Sequence, residues 1–261
     1  MDKRSATEAF YLCAIVPSFN HIDKVENIIQ HISSLGINII LVNDGSNASV
    51  SKALRELAIK HQSYVELMSN DTNRGKGFSV IKALRHATKR GFSHAIQVDA
   101  DGQHSLHHLS SMVKIAENAP NTIISGIRDR QQMPTGRRRG RAITDFWVKV
   151  NTLGSTIEDS MCGLRIYPLK EIVQVLNLRT IGQRMDLDTD ILDRSHWHGI
   201  PILQIYVDVR YELEPSRFHI LYDNARISWM HTKLFFCMLP RVRQLLKLRN
   251  NVTTLETTKN V

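Results

Sequence analysis

Residues 94–104 read HAIQVDADGQH, and this stretch decides the fold of the chain. Residues 94–98 form a short, largely apolar run of strand type that leads directly into Asp99 and Asp101. Such runs are typical of strands covered on both faces of a sheet. In open parallel sheets, ligands bind beyond the carboxyl ends of the strands. The stretch therefore predicts a functional site at the carboxyl edge of a parallel sheet.

The same pattern recurs along the chain, where amphipathic helical patterns separate the first runs. The strand-like runs outside the opening stretch lie at residues 11–16, 37–42, 64–68, 122–125, 164–167 and 202–211. Strands that alternate with helices predict an α/β fold with a mostly parallel central sheet and helices on both faces. We expect one domain over residues 1–223, a basic and aromatic helical segment over 224–249, and a frayed tail over 250–261.

The composition of the chain indicates which kinds of partner and which compartment to expect. The chain has 261 residues and a formal charge of +9, which favours an anionic partner such as a phosphorylated substrate, an acidic membrane surface or a nucleic acid. Its three cysteines form no C-x-x-C pair, which argues against a disulfide framework or a zinc site and for a reducing compartment. No signal peptide or apolar stretch of spanning length is found. We therefore expect a cytoplasmic protein, peripheral on the inner face of the plasma membrane.

Four strands deliver polar residues to the predicted edge. Asp99 and Asp101 offer two hard oxygen donors that suit Mg²⁺ or Mn²⁺, although Asp and Gly are also common in turns. Asp44 can accept a hydrogen bond from a nucleobase N–H, or it can simply belong to a tight turn. Lys76 lies between two glycines at a helix start and can meet a phosphate. This is not a P-loop, because Gly77 stands where Ser or Thr is required.

Two other groups of residues invite a binding hypothesis. His107 and His108 suggest a metal site, but no matching carboxylate or cysteine pattern accompanies them, so we interpret them as solvated helix residues. An arginine cluster follows the fifth strand, and its position favours phosphate binding. Aromatic residues, which would stack on bases, are not interleaved with these arginines, and this argues against nucleic acid as a partner. The cluster comprises Arg128, Arg130, Arg137, Arg138, Arg139 and Arg141.

Taken in order, four segments resemble glycosyltransferase family 2, and most of all its dolichol-phosphate or polyprenol-phosphate mannose synthase branch. The segments are residues 16–20 (VPSFN), 42–46 (VNDGS), 73–77 (NRGKG) and 99–104 (DADGQH). The resemblance implies a GT-A fold, that of the nucleotide-diphospho-sugar transferases, with a UDP- or GDP-sugar donor. It also implies a divalent metal, Mg²⁺ or Mn²⁺, inversion at the anomeric carbon and a lipid acceptor.

The resemblance also implies roles for individual residues. Asp99 and Asp101 would hold the metal and Lys76 would approach the diphosphate, while residues 159–165 would close the sugar pocket. Arg128 matches a position that meets an acceptor phosphate. The remaining donor-binding residues would be Pro17, Ser18, Asn20, Asp44, Ala100 and Gln103.

Two departures from the family pattern bear on these roles. His21 stands where many relatives have Glu, which affects base and ribose recognition. Residues 185–190 are rich in acids, so a catalytic base is available, with Asp188 as first candidate and Asp186 as second. A hydroxyl acceptor needs such a base, whereas a phosphate acceptor does not.

The segment 224–247 combines aromatic and apolar residues with a basic rim, as an interfacial segment on anionic lipid does. A helix packed on the core would show the same composition, and Pro240 is expected to break any helix there. The sequence thus predicts an inverting glycosyltransferase that acts on a membrane lipid, with polyprenyl phosphate as the favoured acceptor. A lipid hydroxyl is the alternative acceptor, and a non-catalytic nucleotide- or nucleic-acid-binding protein is the alternative from another class.

Overall fold

The computed structural model describes residues 9–103, 105–129, 133, 135–178, 181–209, 220–248 and 251–255, with the backbone alone at 135–137, 139 and 220–224. Strands of the described part form a single sheet. They are β1 (Leu12–Ser18), β2 (Asn38–Asn43), β3 (Val65–Ser69), β4 (His94–Gln97), β5 (Ile123–Arg128), β6 (Arg165–Pro168), β7 (Ile202–Val207) and β8 (Val252–Leu255).

The sheet order is β3-β2-β1-β4-β6-β5-β7-β8. Strand β6 runs antiparallel to both of its neighbours, and every other neighbouring pair is parallel. The mostly parallel sheet that the sequence predicted is therefore confirmed. The carboxyl ends of β1, β2 and β4 meet at one edge, as the opening stretch of the sequence analysis required.

Helices cover both faces of the sheet. They are α1 (Val25–Ser34), α2 (Ala48–Lys60), α3 (Lys76–Lys89), α4 (Leu109–Asn118), α5 (Thr135–Asn151), α6 (Leu169–Leu176), α7 (Leu187–Trp197), α8 (Ile220–Met238) and α9 (Val242–Leu248). Successive side chains of a strand point to opposite faces. Ala14 and Val16 of β1 accordingly join the core under α1, α2 and α4, while Cys13 and Ile15 join the core under α3, α6 and α7.

The sequence predicts a frayed tail over residues 250–261, and this prediction is wrong for residues 252–255. Strand β8 instead pairs in parallel with β7, and Val252 is buried against the second core. The Gln204 side chain donates a 3.3 Å hydrogen bond to Thr254 Oγ1, and the Asn251 side chain donates one of 2.9 Å to the Gly199 carbonyl. Four residues are too few to show a period-2 pattern within a polar tail. Residues 250 and 256–261 lie outside the described part.

The C-terminal helical segment begins earlier than residue 224, since α8 starts at Ile220. A 3-10 turn over Leu239–Arg241 separates α8 from α9, because Pro240 cannot continue the helix. One side of α8 is packed: Met230, Leu234 and Met238 form a small core with Trp197. The other side is open, and Trp229 and Phe236 are 63% and 65% exposed. The structure thus combines the two alternatives for this segment, a packed helix and an open aromatic face.

Candidate functional site

Lys76 is at the centre of the polar edge, where it bridges two carboxylates. As predicted, it begins a helix: Gly75 takes a φ of 98°, which glycine adopts without a steric penalty, and Lys76 opens α3. Its Nζ lies 2.9 Å from the carboxylate of Asp99 and 2.9 Å from Oδ2 of Asp188. Asp188 lies in the first turn of α7, and the lysine therefore joins the end of β4 to the start of that helix.

The side chains of this cluster, Lys76, Asp99 and Asp188, are largely buried and in contact with one another, which determines the charge of the lysine. Burial acts to lower the pKa of Lys76, but the charges of Asp188 and Asp99 and their hydrogen bonds outweigh burial and raise that pKa. The lysine is therefore a fixed cation at the edge of the sheet. Asp188 is 4% exposed, and its second oxygen accepts a 3.1 Å hydrogen bond from the side chain of Gln97. Both oxygens of Asp188 are thus engaged.

Residues 159–165, which we call the strap, cross directly over this cluster. A Cβ added to Gly163 would lie 2.3 Å from Asp99 Oδ2 and 2.8 Å from Lys76 Nζ, so only glycine leaves room for the pair. Arg165, the last residue of the strap, is fully buried and anchors the strap to the core. Its guanidinium donates to the carbonyls of Cys162 and Asp188 at 3.1 and 2.9 Å. One buried cation therefore fixes the strap and the start of α7 together.

The residues predicted to hold a metal offer oxygen donors alone. Asp101 follows Asp99 on the same loop, and one of its oxygens accepts a 3.0 Å hydrogen bond from the backbone N–H of Gln103. Two carboxylates and an amide oxygen suit Mg²⁺ or Mn²⁺. Within the described residues, no third carboxylate, histidine or cysteine completes a ligand cluster with this pair. Ala100 is buried in the core, so only its backbone can face a donor.

The predicted nucleoside residues come together at the ends of β1 and β2. Pro17 and Ser18 pair with β2, and the Ser18 hydroxyl donates a 2.7 Å hydrogen bond to the His21 carbonyl. Asn20 has a φ of 53°, a left-handed conformation that Asn tolerates better than most residues. Its side-chain oxygen accepts a 2.8 Å hydrogen bond from the Asn47 N–H, which ties β1 to the start of α2.

Asp44 is 2% exposed, and its carboxylate organises the loop before α3. One oxygen accepts hydrogen bonds from the Asn70 side chain at 2.8 Å and the Arg74 N–H at 3.0 Å. The other accepts one of 2.8 Å from the Gly75 N–H. Asp44 thus shapes the loop that presents Lys76. The base-reading role stays a prediction, and the structure adds a second role that the sequence did not suggest.

Arg128, at the end of β5, forms a two-point ion pair with Asp159 of the strap. Its Nε and Nη2 donate to the two carboxylate oxygens at 2.9 and 3.2 Å. Arg141 of α5 contacts the same carboxylate and is buried. Two guanidinium groups therefore meet one carboxylate at the start of the strap. Arg138 is exposed on α5. Arg130 and the side chains of Arg137 and Arg139 lie outside the described part.

Asp186, the second candidate base, is placed differently from Asp188. It is the residue before α7, and its Oδ1 accepts a 2.9 Å hydrogen bond from the Arg184 N–H. Residues 183–184 cover the start of α3, where the Gln183 carbonyl accepts a 2.8 Å hydrogen bond from the Phe78 N–H. Asp186 therefore shapes this covering segment, whereas Asp188 contacts Lys76 directly.

Several residues that support the site were missed by the sequence analysis. Gln97 and Tyr167 are fully buried polar residues, and the Tyr167 hydroxyl donates a 3.1 Å hydrogen bond to the Gln97 side chain. Arg165 and Asp159 fall inside the strap, which was assigned as a unit. The one available signal was a polar or charged residue within a strand-like run, as at Gln97 and Arg165, because such residues are rarely buried without partners.

Comparison with known proteins places this geometry in a family. The sequence model described as glycosyl transferase family 2 matches residues 13–170. A UDP-N-acetylglucosamine–dolichyl-phosphate N-acetylglucosaminyltransferase from Methanococcus voltae is 24% identical over 225 residues, which cover 78% of this chain and 88% of the relative. A polyprenol monophosphomannose synthase from Mycolicibacterium smegmatis is 24% identical over 201 residues, covering 73% and 74%.

A solved structure shows the same fold. A mannosyltransferase from Pyrobaculum calidifontis, in complex with GDP-Man and Mn²⁺, superposes with a TM-score of 0.60 at 17% identity, covering 91% of this chain and 68% of that one. No described helix of our chain has the length and apolar character needed to cross a membrane. The fold is GT-A, and the family model covers well over half of the sequence. The chain therefore belongs to glycosyl transferase family 2, and it is a glycosyltransferase.

Proposed function

We propose that this chain transfers a sugar from a nucleoside diphosphate to a polyprenyl phosphate at a membrane surface, with inversion at the anomeric carbon. The observation that carries the proposal is the state of Asp188. Its two oxygens are engaged by Lys76 and Gln97. Each oxygen already contacts a protein donor, so an acceptor hydroxyl would have to displace Lys76 or Gln97 to transfer its proton to Asp188. The site therefore suits an acceptor that arrives already ionised and needs no base.

The donor would lie along the edge formed by β1, β2 and β4. Asn20 and Asp44 are placed for the nucleoside, and Lys76 is placed for the diphosphate. Asp99, Asp101 and Gln103 would hold Mg²⁺ or Mn²⁺, which supplies Lewis-acid stabilisation of the leaving diphosphate when bound. When a diphosphate approaches, Lys76 can exchange its Asp99 oxygen for a phosphate oxygen and keep its contact with Asp188, because both oxygens are anionic acceptors of similar geometry.

The acceptor would reach the site from the side of the strap. Arg128 and Arg141 both contact Asp159, so two guanidinium groups lie close together at the start of the strap. A phosphate is a ligand that neighbouring guanidinium groups favour, through charge-assisted hydrogen bonds. Within the strap, the chain passes from Asp159 to Gly163, where it touches Asp99 and Lys76. Acceptor and donor sites would thus be joined by the five residues 159–163.

Polyprenyl chains reside in membranes, and the open face of α8 suits peripheral binding to an anionic surface. Trp229 and Phe236 are exposed there, Leu239 is exposed in the turn that follows, and Ile143 and Phe146 of the neighbouring α5 are 65% and 60% exposed. Arg243 and Lys247 of the next helix, α9, are also exposed. Aromatic side chains flanked by cations bind the interface of anionic lipid. The names of the two curated relatives, which act on dolichyl and polyprenol phosphates, support this assignment.

The experiment tests donor and acceptor separately. Purified full-length protein is incubated with UDP- and GDP-sugars, Mn²⁺ or Mg²⁺, and either a short polyprenyl phosphate or the matching polyprenol. We expect product with the phosphate and little with the alcohol, and we expect loss of turnover in chelator or in Asp101→Ala. Equal transfer to the alcohol would move the assignment to a hydroxyl acceptor. Salt-sensitive binding to DNA or RNA without any donor turnover would overturn the proposal.

A further inference from the structure

Two histidines that the sequence analysis interpreted as solvated are brought together with a distant carboxylate. His107 and His108 lie in the 3-10 turn Leu106–His108, and Asp208 follows β7 a hundred residues later. Oδ2 of Asp208 lies 3.3 Å from His107 Nε2 and 3.2 Å from His108 Nε2. The two imidazole rings are 4.0 Å apart between centroids. Three potential ligand atoms therefore converge, all within 4.8 Å of one another.

We propose that His107, His108 and Asp208 form a binding site for a transition-metal ion such as Zn²⁺, separate from the oxygen site of Asp99 and Asp101. Zinc bound at about 2.0–2.1 Å in a tetrahedral site holds its ligands roughly 3.3 Å from one another. The two nitrogen–oxygen distances already have this value. Imidazole with one carboxylate favours Zn²⁺, Ni²⁺ or Cu²⁺ over Mg²⁺, which prefers oxygen ligands.

The surroundings orient these side chains. Ser105 Oγ lies in hydrogen-bond contact with Nδ1 of His107, which directs Nε2 of that ring toward Asp208. Histidine ligands commonly use their second nitrogen in this way. The Ser105 N–H also donates a 3.0 Å hydrogen bond to the Asp208 carbonyl, so the turn and the end of β7 are held together without the ion. A preformed arrangement lowers the cost of binding.

The hydrogen-bond contacts within the cluster are also compatible with a bound cation. The Asp208 N–H lies 3.1 Å from His108 Nε2, a contact in which this nitrogen is an acceptor. In the tautomer that accepts this hydrogen bond, Nε2 of His108 carries no proton, and an unprotonated imidazole nitrogen is the form that binds metals. Since Asp208 is 66% exposed, an ion can reach the site and water can satisfy the displaced N–H.

The position of the site suggests what an ion there would do. Ser105 lies two residues after Gln103, at the end of the loop that carries Asp99 and Asp101. A metal held by His107, His108 and Asp208 would cross-link this loop to the end of β7. That consequence rests on the proposed donor site, whereas the existence of the metal site does not.

The test measures binding rather than activity. Untagged full-length protein is stripped with chelator and titrated with Zn²⁺ in millimolar Mg²⁺, which occupies the oxygen site. We expect one Zn²⁺ per chain and a rise in Tm that follows the added zinc. His107→Ala/His108→Ala should weaken binding by about 100-fold or more, and Ser105→Ala by roughly tenfold.

Two controls keep the outcome interpretable. His86→Ala removes an imidazole that contacts a single carboxylate, that of Glu66 at 2.7 Å, and should leave the Zn²⁺ affinity unchanged. Asp101→Ala should abolish sugar transfer and keep Zn²⁺ binding, so failure of the proposed function is distinguishable from failure of this site. Unchanged Zn²⁺ affinity in the double histidine variant, or complete displacement of Zn²⁺ by Mg²⁺, would overturn the inference.

Discussion

Asp188 and Arg128 distinguish the two acceptor classes at the scale of single residues. Each is held by a partner from a distant part of the chain: Asp188 by Lys76, and Arg128 by Asp159. An ion pair of this kind fixes where the two charges lie and occupies an oxygen of the carboxylate. The function of each residue is therefore best separated by comparing donor and acceptor kinetics in the same variants.

We predict that Asp188→Asn lowers turnover with polyprenyl phosphate by less than about tenfold, because Asn still accepts from Lys76. Loss of a general base would cost about 10²–10⁴-fold. Arg128→Ala should raise the acceptor KM by roughly 10–100-fold, as expected for charge-assisted hydrogen bonds, and leave the donor KM nearly constant. Steady-state kinetics with both substrates provide the measurement. A large Asp188→Asn defect beside a near-silent Arg128→Ala would show that the acceptor is a hydroxyl.

Asp44 carries a second prediction at this scale. Asp44→Ala leaves the N–H groups of Arg74 and Gly75 without their acceptor, which costs about 1–3 kcal/mol of folding stability for each buried unpaired group. The loop that presents Lys76 should loosen, so free nucleoside diphosphate and sugar donor should both bind more weakly. Calorimetric titration with UDP and GDP measures this. Unchanged nucleotide affinity would restrict Asp44 to some other role.

A substitution at Gly163 tests whether the strap takes part in sugar transfer. Gly163→Ala places a methyl group 2.3 Å from Asp99 Oδ2, so Asp99 and Lys76 must move apart or the strap must lift. We expect donor turnover to fall by at least about tenfold with little change in Tm. Gly140→Ala is the matched control: a Cβ there meets nothing within 4 Å, and alanine within α5 should stabilise by roughly 0.5–1 kcal/mol. Normal turnover in Gly163→Ala would separate the strap from the chemistry.

At the scale of elements, α8 has two dissimilar sides. Its packed side forms a core with Trp197, and its aromatic side continues onto α5 through ring contacts. Trp147 lies 6.4 Å from Phe235, and Phe235 lies 5.7 Å from Phe236, between centroids. Because the packed side fixes α8 to the core, the helix can present Trp229 and Phe236 to a surface without refolding.

We predict that the double variant Trp229→Glu/Phe236→Glu loses most of its binding to anionic vesicles. Burying the exposed parts of two aromatic rings contributes roughly 2–3 kcal/mol each, and the added charges oppose anionic lipid. Ile59→Glu is the matched control, since Ile59 is 69% exposed on α2. Sedimentation with anionic and neutral vesicles, at low and high salt, measures binding. Equal sedimentation of wild type and the double variant would contradict a membrane role for this face.

At the scale of the whole molecule, the sequence predicted what depends on local pattern. The alternating strands and helices, the helix start at Lys76 and the loop with Asp99 and Asp101 all follow from periodicity and turn residues. Contacts across long separations were not predictable in this way. Lys76 meets Asp188 over 112 positions, and Arg128 meets Asp159 over 31. The insertion of antiparallel β6 between β4 and β5 likewise depends on tertiary pairing, which a run of four residues does not reveal.

Global stability should respond to pH through two buried histidines at the junction of α5, α7 and α8. Burial lowers the pKa of His196 and of His231 from 6.5 to about 4. Between these values the unfolded chain binds more protons than the folded one, so stability falls as pH drops from about 6.5 toward 4. From pH 7.5 to pH 5 each histidine should cost roughly 1–2 kcal/mol.

Comparison with a variant isolates one of these histidines. Burial raises the pKa of Asp193 nearby, which acts in the opposite direction, but it does so equally in wild type and in His231→Leu. Urea unfolding at pH 7.5 and pH 5 should therefore show a smaller pH-dependent loss in His231→Leu, by roughly 1–2 kcal/mol. Parallel losses in the two proteins would mean that the pKa of His231 is the same in the folded and unfolded states.

Strand β8 has a practical consequence for protein engineering. It covers the outer edge of β7, whose hydrogen-bonding groups would otherwise face solvent as a template for another chain. A truncation that removes residues 224–261 to test membrane binding would also expose that edge, and the shortened protein should self-associate. Point substitutions on α8 avoid this artefact. For the same reason, a purification tag is better placed at a distance from β8.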